Sequence, residues 1–593
     1  MCGFIGAFSK SNINKEQLEL ANKHIVCRGP DSLKQFHVEN SEINHSLIFN
    51  RLSILDLSHK ADQPMSSDRN IIMFNGEIYN AYNLRKKLES QNIRFKTDNS
   101  DTEVVLKGIE KYGVDFVNQL RGMFAIFYLD QVNKVFYLIR DRLGQKPLYY
   151  YKNENSFSFA SNLKSLLKIN NSKEISSEQL SEYLVYGAVA SPNTLFKDYR
   201  SIRPAEILKV DYSNNSFNIS TSTYWDPQNY LDDKEFNSNE FNEILSESIN
   251  IRNIADVPIA SFLSGGIDST SIVKHLSKTD KQINTFSVHV ENEKYDESKW
   301  SNEVAQKYNT NHRHVTIDST IDNKIIDKSI KSLDHPYSDP SVIPSFMLSE
   351  EISKYFKVAI SGDGGDELLG GYKRLNITLS NKNLIDQFIS NFYSFYPAFM
   401  GTGNYFLSKS TDIKKSYSSF LEDKKLLNLL NLKTSSFKEN IIINNSMSSY
   451  KQLLYADYKF YLPEMMMFKI DRTSMANSLE IRSPFVDHNL VEYIFSHNTE
   501  YYEPSRPKSL LKNNLQEDFD LKFLERSKQG FVFDIENWIH KNTNLIEETF
   551  KNGVLVNNLN KNILSSLSKF KSRINAQRIW KLYVLEKYLD ELD

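Results

Sequence analysis

The chain has 593 residues, of which 40% are hydrophobic and 25% charged, and its formal net charge is −2. A chain of this length is too long to fold around one hydrophobic core, so we expect a multidomain globular protein. The near-zero charge gives no general attraction to nucleic acid or anionic membranes, and two cysteines make no disulfide framework. No apolar run of about 18 residues or signal peptide is present. These features predict a cytoplasmic protein with neither a nucleic-acid nor a membrane partner.

The chain begins Met1-Cys2-Gly3. If Met1 is removed, Cys2 carries both a thiol and a free α-amine, and an α-amine with a pKa near ~7.7–8.0 can act as the base for the thiol. The alternative is that Cys2 is an ordinary residue at the start of an apolar strand. The motifs further along the chain favour the nucleophile.

Residues 1–212 have the pattern of an α+β domain with short strands. The predicted strands are 47–49, 71–74, 124–129, 135–139, 148–151 and 157–160, the last four forming two hairpins. The apolar spacing predicts helices over 82–90 and 102–112. The polar, weakly patterned residues 213–239 are interpreted as a domain linker.

After the linker, strands and helices alternate. The predicted strands are 259–263, 284–290 and 357–361, and the predicted helices start near Ser269 and span 297–308. Such alternation predicts a doubly wound parallel sheet that binds ligands beyond the carboxyl ends of its strands. Roughly the last 200 residues are predicted to be mostly helical.

A phosphate-binding loop is predicted at the end of the first of these strands. It consists of Leu263, Ser264, Gly265, Gly266, Ile267, Asp268, Ser269 and Thr270. The glycines let backbone N–H groups approach a phosphate, the helix N-terminus favours negative charge, and Asp268 can hold Mg²⁺. The loop lacks the lysine of a Walker A motif. The alternative is a solvent-exposed Ser/Gly turn.

A second strand ends in Ser361-Gly362-Asp363-Gly364-Gly365-Asp366-Glu367. Acidic residues beside a phosphate site repel the phosphate unless a cation intervenes. We therefore expect Asp366 to face Asp268 across Mg²⁺, the alternative being an acidic surface loop.

At this point the sequence resembles the glutamine-dependent asparagine synthetase family over nearly its whole length. The motifs that carry the resemblance are Cys2-Gly3, 28–31 (RGPD), 50–54 (NRLSI), 75–80 (NGEIYN), 100–103 (SDTE), the two loops above, 471–476 (DRTSMA), 479–485 (LEIRSPF) and 526–531 (RSKQGF). The resemblance implies an α+β N-terminal nucleophile (αββα) glutaminase domain over 2–212, a linker over 213–239, and an α/β doubly wound adenylating domain with a helical C-terminal part over 240–593.

The resemblance also implies the residues of a glutaminase site. Cys2 would attack the side-chain amide of glutamine, and the Asn75 side chain with the Gly76 N–H would form the oxyanion hole. Arg51 is expected to clamp the α-carboxylate of glutamine as a bidentate fork. Glu77 and Asp101 are expected to hold its α-ammonium.

In the second site, ATP would activate a carboxylate as an acyl-adenylate that ammonia then attacks. Ser264 to Thr270 would hold the pyrophosphate, with Asp268 and Asp366 on Mg²⁺, and Lys528 would meet the charge that develops at the adenylation centre. Asp363 is expected to act as a base or to orient the acyl substrate. The residues that match nucleotide contacts in the family are Leu263, Val288, Ser361 and Gly362. The resemblance further implies an ammonia tunnel, and a homodimer stays open.

Four readings of the function follow. The leading one is asparagine synthetase, with aspartate as the acceptor, and its nearest rival is an amidotransferase of the same mechanism acting on another carboxylate, such as a sugar uronic acid. The full set of site residues argues against a catalytically idle scaffold. The two phosphate loops argue against a stand-alone glutaminase. Departures from the family pattern occur at Asn162, Ala205, His289 and His335. The two histidines are expected near the acceptor pocket, which leaves the acceptor's identity as the open question.

Overall fold

The structure is a computed structural model that describes residues 2–39, 42–279, 282–290, 296–317, 322–432, 441–498, 507–526, 533–568 and 572–592. Among these residues, no helix is both long and apolar enough to cross a membrane.

The N-terminal region contains two antiparallel sheets. Its strands are β1 (Gly3–Ser9), β2 (Ser32–Val38), β3 (Asn44–Arg51), β4 (Met65–Ser66), β5 (Asn70–Ile78), β6 (Gly122–Asp130), β7 (Val135–Arg140), β8 (Tyr149–Lys152), β9 (Ser156–Ala160), β10 (Tyr199–Ser201), β11 (Glu206–Asp211) and β12 (Asn218–Thr223). One sheet has the order β10-β8-β9-β1-β3-β2 and the other β12-β11-β7-β6-β5-β4. Both predicted hairpins are confirmed.

Aromatic side chains from the two sheets form a shared core. Phe4 and Phe8 of β1 meet Phe127 and Phe136 of the other sheet in one buried cluster. The helices of this region are α1 (Lys15–Asn22), α2 (Ala81–Glu89), α3 (Asp101–Tyr112), α4 (Leu163–Asn170) and α5 (Ser177–Tyr186). Helices α2 and α3 pack their apolar stripes on the outer face of the β5–β6 sheet, and α1 and α4 pack near β1 and β9. The layers are therefore the αββα arrangement that the family resemblance implies.

The predicted linker differs from the structure at its start. Within 213–239, residues 218–223 form β12, which pairs with β11 at the edge of the second sheet. Five of its six residues are exposed. An exposed edge strand does not need alternating apolar side chains, which explains why the sequence there has the composition of a linker.

The second region is built on a parallel sheet. Its strands are β13 (Ile259–Phe262), β14 (Asn284–Val290), β15 (Asn311–Ile317), β16 (Val358–Ile360) and β17 (Glu480–Arg482), in the order β15-β14-β13-β16-β17. All four strand pairs are parallel, as predicted. The helices that accompany the sheet are α6 (Ser238–Arg252), α7 (Ile267–Thr279), α8 (Ser298–Lys307), α9 (Asn323–Lys331), α10 (Val342–Ser353) and α11 (Gly365–Leu369).

The rest of the chain is mainly helical, as predicted. The helices are α12 (Lys373–Leu379), α13 (Leu384–Ser390), α14 (Asn404–Ser408), α15 (Ile413–Ser418), α16 (Lys424–Leu429), α17 (Ser449–Ala456), α18 (Phe468–Met475), α19 (His488–Ser496), α20 (Ser509–Leu515), α21 (Leu521–Leu524), α22 (Ile535–Lys541), α23 (Thr543–Asn552), α24 (Val556–Leu559), α25 (Ile563–Ser568) and α26 (Arg573–Asp590). A π-helix, Asp457–Met467, connects α17 to α18.

Buried ion pairs join the two regions. Arg28 donates two hydrogen bonds to the Asp471 carboxylate, at 2.8 and 3.1 Å, and Arg121 contacts Asp487 at 3.0 Å. All four side chains are at least nine-tenths buried. Because a buried charge needs a partner, these pairs are among the contacts that join the two regions.

Candidate active site

Cys2 lies directly before β1, at the end of the sheet sandwich. Its backbone nitrogen, which would become the α-amine if Met1 were removed, donates a hydrogen bond of 2.9 Å to Asn75 Oδ1. The residue is 7% exposed, and burial raises the pKa of its thiol. A buried thiol with a raised pKa needs a base to become a nucleophile, so the contact that orients the nitrogen is chemically relevant.

Asn75 and Gly76 follow each other on β5. Asn75 is fully buried, and within the described part of the chain its Nδ2 has no hydrogen-bond partner. An unpaired buried donor costs about 1–3 kcal/mol, which a ligand oxygen can recover. A Cβ on Gly76 would lie 2.0 Å from the Met123 carbonyl oxygen, so only glycine fits there. The structure thus brings the predicted oxyanion residues together beside Cys2.

Arg51 lies at the end of β3 and is held by the loop that follows. Its Nη1 donates to the Ser58 carbonyl and to Asp62 Oδ1, each at 2.8 Å, and its Nη2 donates to the carbonyls of Leu55 and Asp56. The fork predicted to clamp a carboxylate is therefore already engaged with protein oxygens. A ligand carboxylate there would have to replace some of these bonds.

Glu77 is the next residue along β5, and Asp101 is the first residue of α3. Both are buried. Asp101 Oδ2 accepts a hydrogen bond of 3.0 Å from the Ile78 N–H. Burial raises the pKa of Asp101 to about 6 and raises that of Glu77 well above its ordinary value. Glu77 contacts Arg482 of the second region at 3.2 Å, and the sequence did not predict this partner.

The first predicted phosphate loop joins β13 to α7. Gly265 has a φ of +75°, and a Cβ there would lie 2.7 Å from the Trp300 carbonyl carbon. Ser264 Oγ lies 3.2 Å from Ser269 Oγ and accepts from the Gly266 N–H. The buried Thr270 Oγ1 has no hydrogen-bond partner among the described residues. Hydroxyl and N–H donors therefore converge on this turn, as phosphate binding requires. Leu263 directly follows β13, and Val288 lies on the neighbouring β14.

The second loop packs directly on the first. A Cβ on Gly362 would lie 3.0 Å from the Ser269 nitrogen, and one on Gly365 would lie 2.6 Å from Asp268 Oδ1. Asp363 accepts a hydrogen bond from the Ser361 hydroxyl within the same turn. The two glycines permit this close approach, which places the acidic loop against the phosphate loop.

Asp268 and Asp366 share one cation, Lys508. Its Nζ lies 2.5 Å from Asp268 Oδ2 and 2.5 Å from Asp366 Oδ1, and all three side chains are about nine-tenths buried. The predicted convergence of the two aspartates is therefore present, with an ammonium group between them. Lys508 has no periodic or motif signal in the sequence that identifies it.

The two aspartates fit a magnesium ion, since carboxylate oxygens from two loops already meet at one positive charge. Among the described residues, no group of three or more His, Cys, Asp or Glu side chains is placed to hold a metal. A Mg²⁺ ion here would therefore need substrate phosphate oxygens as additional ligands, as is usual for this ion.

Lys528 lies outside the described residues. Nearby, Arg526 donates to the Gly265 carbonyl, and its guanidinium carbon lies 4.6 Å from the Trp300 ring centroid. This contact brings residue 526, the first of the motif that contains Lys528, to the phosphate loop.

A small cavity of about 10 Å³, with room for about one water molecule, lies where the two regions meet. Gln145 and Lys146 line it from the first region, and Met467, Ile470, Ile481 and Ser483 are among its residues from the second. Ile481 is the central residue of β17, whose neighbour Arg482 contacts Glu77 by its side chain and Ser361 by its main chain. The cavity therefore lies beside a strand that touches both candidate sites.

Three departures from the family pattern have structural roles. Asn162 caps α4, accepting from the Ser165 N–H at 3.3 Å. His335 is buried, accepts from the Leu195 N–H at 2.8 Å, and has its pKa lowered to about 4 by burial, so it is a neutral structural side chain. His289 is partly exposed and lies 3.1 Å from Asp296. None of these contacts joins a histidine to the two loops.

These features define a glutamine amidotransferase joined in one chain to a domain that binds ATP. The family model for the glutamine amidotransferase domain matches residues 1–225, and the model for asparagine synthase matches residues 240–590. The protein belongs to the asparagine synthase family, whose members are ATP-dependent, glutamine-hydrolysing ligases.

Curated relatives agree with this assignment. Asparagine synthetase [glutamine-hydrolyzing] 1 of Bacillus subtilis is 31% identical over 92% of this chain and 89% of its own length. A putative asparagine synthetase of Methanocaldococcus jannaschii is 35% identical over 63% of this chain and 76% of its own length. A more distant relative, amidase chry2 of Gibberella zeae, is 25% identical over 81% of this chain and 78% of its own length.

Proposed function

We propose that this protein is a glutamine-dependent asparagine synthetase that uses aspartate as its acceptor. The observation that carries the proposal is that one chain holds both the buried Cys2–Asn75 contact and two glycine-rich loops whose aspartates, Asp268 and Asp366, converge. A glutaminase alone would have no use for these two loops. An ammonia-dependent synthetase would not need the buried Cys2–Asn75 contact.

In the first half-reaction, the Cys2 thiol would pass its proton to the α-amine, and the resulting thiolate would attack the side-chain amide carbon of glutamine. The oxyanion that forms would be stabilised by Asn75 Nδ2 and the Gly76 N–H, an effect worth about 10²–10³ in rate for one donor. The C–N bond then breaks, ammonia leaves with the proton, and water hydrolyses the thioester to glutamate. Glu77 and Asp101 would hold the α-ammonium of glutamine throughout.

In the second half-reaction, a carboxylate oxygen of the acceptor attacks the α-phosphorus of ATP and pyrophosphate leaves. The donors of residues 264–270 would hold the pyrophosphate, while Asp268 and Asp366 would hold Mg²⁺, which would neutralise phosphate charge when bound. Ammonia then attacks the acyl carbon and AMP leaves, giving the amide. Asp363, beside Ser361, would orient the acyl group, and Lys528 would contact the adenylation centre.

The proposal is tested by one reaction containing ATP, Mg²⁺, aspartate and glutamine labelled with ¹⁵N in its amide. We expect labelled asparagine and AMP in equal amounts, measured by mass spectrometry and nucleotide chromatography. Glutamate without asparagine or AMP would overturn aspartate as the acceptor. AMP formed on adding a sugar uronic acid instead would establish the rival acceptor class.

A further inference from the structure

The buried carboxylates of the candidate glutamine pocket meet an arginine from the other region. Arg482 Nη2 lies 3.2 Å from Glu77 Oε2, and its Nε lies 2.7 Å from Glu480 Oε1. Its Nη1 donates to the carbonyls of Arg252 and Ile254, at 3.0 and 2.6 Å. The guanidinium is fully buried, and hydrogen bonds from its Nε and Nη1 fix its orientation, while its Nη2 contacts Glu77 as an ion pair without a hydrogen bond.

The main chain of Arg482 is anchored independently of the pocket. Its carbonyl accepts from the Ser361 N–H at 2.9 Å, and β17 pairs with β16 in parallel register, with Ile360 opposite Arg482. The position of this guanidinium is therefore set by the sheet of the second region. The first region supplies Glu77, and the second supplies its countercharge.

Negatively charged groups outnumber positively charged groups around Glu77. The charged and titratable groups around it are Asp101 from α3, Glu480 and Arg482 from β17, Tyr79 directly after β5, Arg252 from α6, and the N-terminal amino group of the chain. Arg252 forms an ion pair with Asp487, at 2.7 Å. Three buried carboxylates thus face two nearby positive charges, Arg482 and the N-terminal amino group, which leaves an excess of negative charge that an incoming α-ammonium would neutralise.

Burial is the largest influence on Glu77 and raises its pKa, whereas Arg482 lowers it, and Asp101 and Glu480 raise it further. Loss of the guanidinium would therefore raise the pKa of Glu77 again. A larger share of Glu77 would be protonated at neutral pH, and a neutral carboxyl attracts an ammonium group weakly.

We propose that Arg482 is a positioning residue for glutamine binding, holding Glu77 in place and in its charged form from across the boundary between the two regions. This inference rests on the proposed role of Glu77 toward the α-ammonium. It means that the glutamine pocket is complete only when the synthetase sheet is docked on the glutaminase.

The test uses the full chain and the variants Arg482→Gln and Arg482→Lys. Initial rates of glutamate release are measured against glutamine concentration from pH 6 to 9.5, and ammonia-driven AMP formation is measured in parallel. The matched control is Arg121→Gln, which removes another buried arginine between the regions, one that contacts Asp487 and Glu247.

We expect Arg482→Gln to raise the KM for glutamine about 10- to 100-fold at pH 7.5, with a much smaller change in kcat. The KM should fall as pH rises, because Glu77 regains its charge. Arg482→Lys should raise KM several-fold with a profile close to that of the parent, since one ammonium cannot reach all the oxygens that the fork contacts. If Arg482→Gln does not fold, the Arg482→Lys measurement decides.

Ammonia-driven AMP formation should stay near the parent rate in the folded variants, and Arg121→Gln should keep the parent KM and pH profile. An unchanged KM in Arg482→Lys or in folded Arg482→Gln, or a change equal to that of Arg121→Gln, would overturn the inference alone. A parent protein that releases no glutamate from glutamine would overturn the proposed function, and this inference with it.

Discussion

Lys508 supplies the positive charge between the Asp268 and Asp366 carboxylates, and Lys508→Met should expose that role. At an effective dielectric constant of about 20, two unit charges 2.5 Å apart attract by roughly 7 kcal/mol, and Lys508 makes two such contacts. Desolvation offsets most of this attraction. Breaking a buried pair by removing one partner costs about 3–5 kcal/mol, which is the loss of unfolding free energy that we expect.

Urea unfolding followed by tryptophan fluorescence measures this loss, with and without Mg²⁺ and ATP. We expect the penalty to shrink when both are present, because Mg²⁺ then supplies the missing positive charge. The control is Lys512→Met in α20, the helix that begins directly after Lys508, where the lysine pairs at 3.0 Å with a glutamate that is 65% exposed. Its cost should stay below about 1 kcal/mol. Equal stability of the two variants, or a penalty that Mg²⁺ and ATP leave unchanged, would refute the reasoning.

Cys2→Ala should abolish glutamine-driven amide formation and spare ammonia-driven formation in a coupled AMP assay; loss of both would contradict two separate sites. Asn75→Ala should lower kcat for glutamine hydrolysis about 10²–10³-fold, and a change below threefold would exclude it from the oxyanion hole. Asp268→Asn should stop AMP formation while glutamate release continues, so normal AMP formation would contradict its metal role. Asp471→Asn should cost about 3–5 kcal/mol in urea unfolding at neutral pH. Burial raises the pKa of Asp471, but the positive charges of Arg28, Lys146 and Arg472 outweigh burial and lower this pKa in the folded state. The stabilisation from the ion pair is therefore present above the ordinary carboxyl pKa of about 3.9, and it is lost as pH falls through the lower pKa of the folded protein. A penalty that did not diminish in strong acid would contradict the ion pair as its cause.

Local patterns predicted most of the fold. The strand predicted at 284–290 has those bounds in the structure, because Phe286, Val288 and Val290 alternate with polar residues, which is the period-2 pattern of a strand. The two glycine turns could be placed because each follows a short apolar strand of the parallel sheet. The edge strand β12 was missed because its exposed side chains carry no period-2 pattern.

Only those site residues that belong to sequence motifs could be predicted. Asp268 and Asp366 could be expected to meet because both follow strands of one parallel sheet. Lys508 could not be predicted as their shared cation, since a lone lysine has the same sequence signature as a solvated one. The contact of Arg482 with Glu77 joins residues 405 positions apart across two regions, and no local pattern encodes that docking. Similarly, the carbonyls that engage Arg51 depend on the fold of its own loop.

The central claim is that ammonia made at Cys2 reaches the second site through the protein. The most direct measurement is the reaction with amide-¹⁵N glutamine in the presence of excess unlabelled ammonium, with the amide product read by mass spectrometry. Enclosed transfer predicts that the product keeps a ¹⁵N fraction well above that of the ammonium pool in the medium. A product whose label matches the medium would show that ammonia equilibrates with solvent, and would contradict the account.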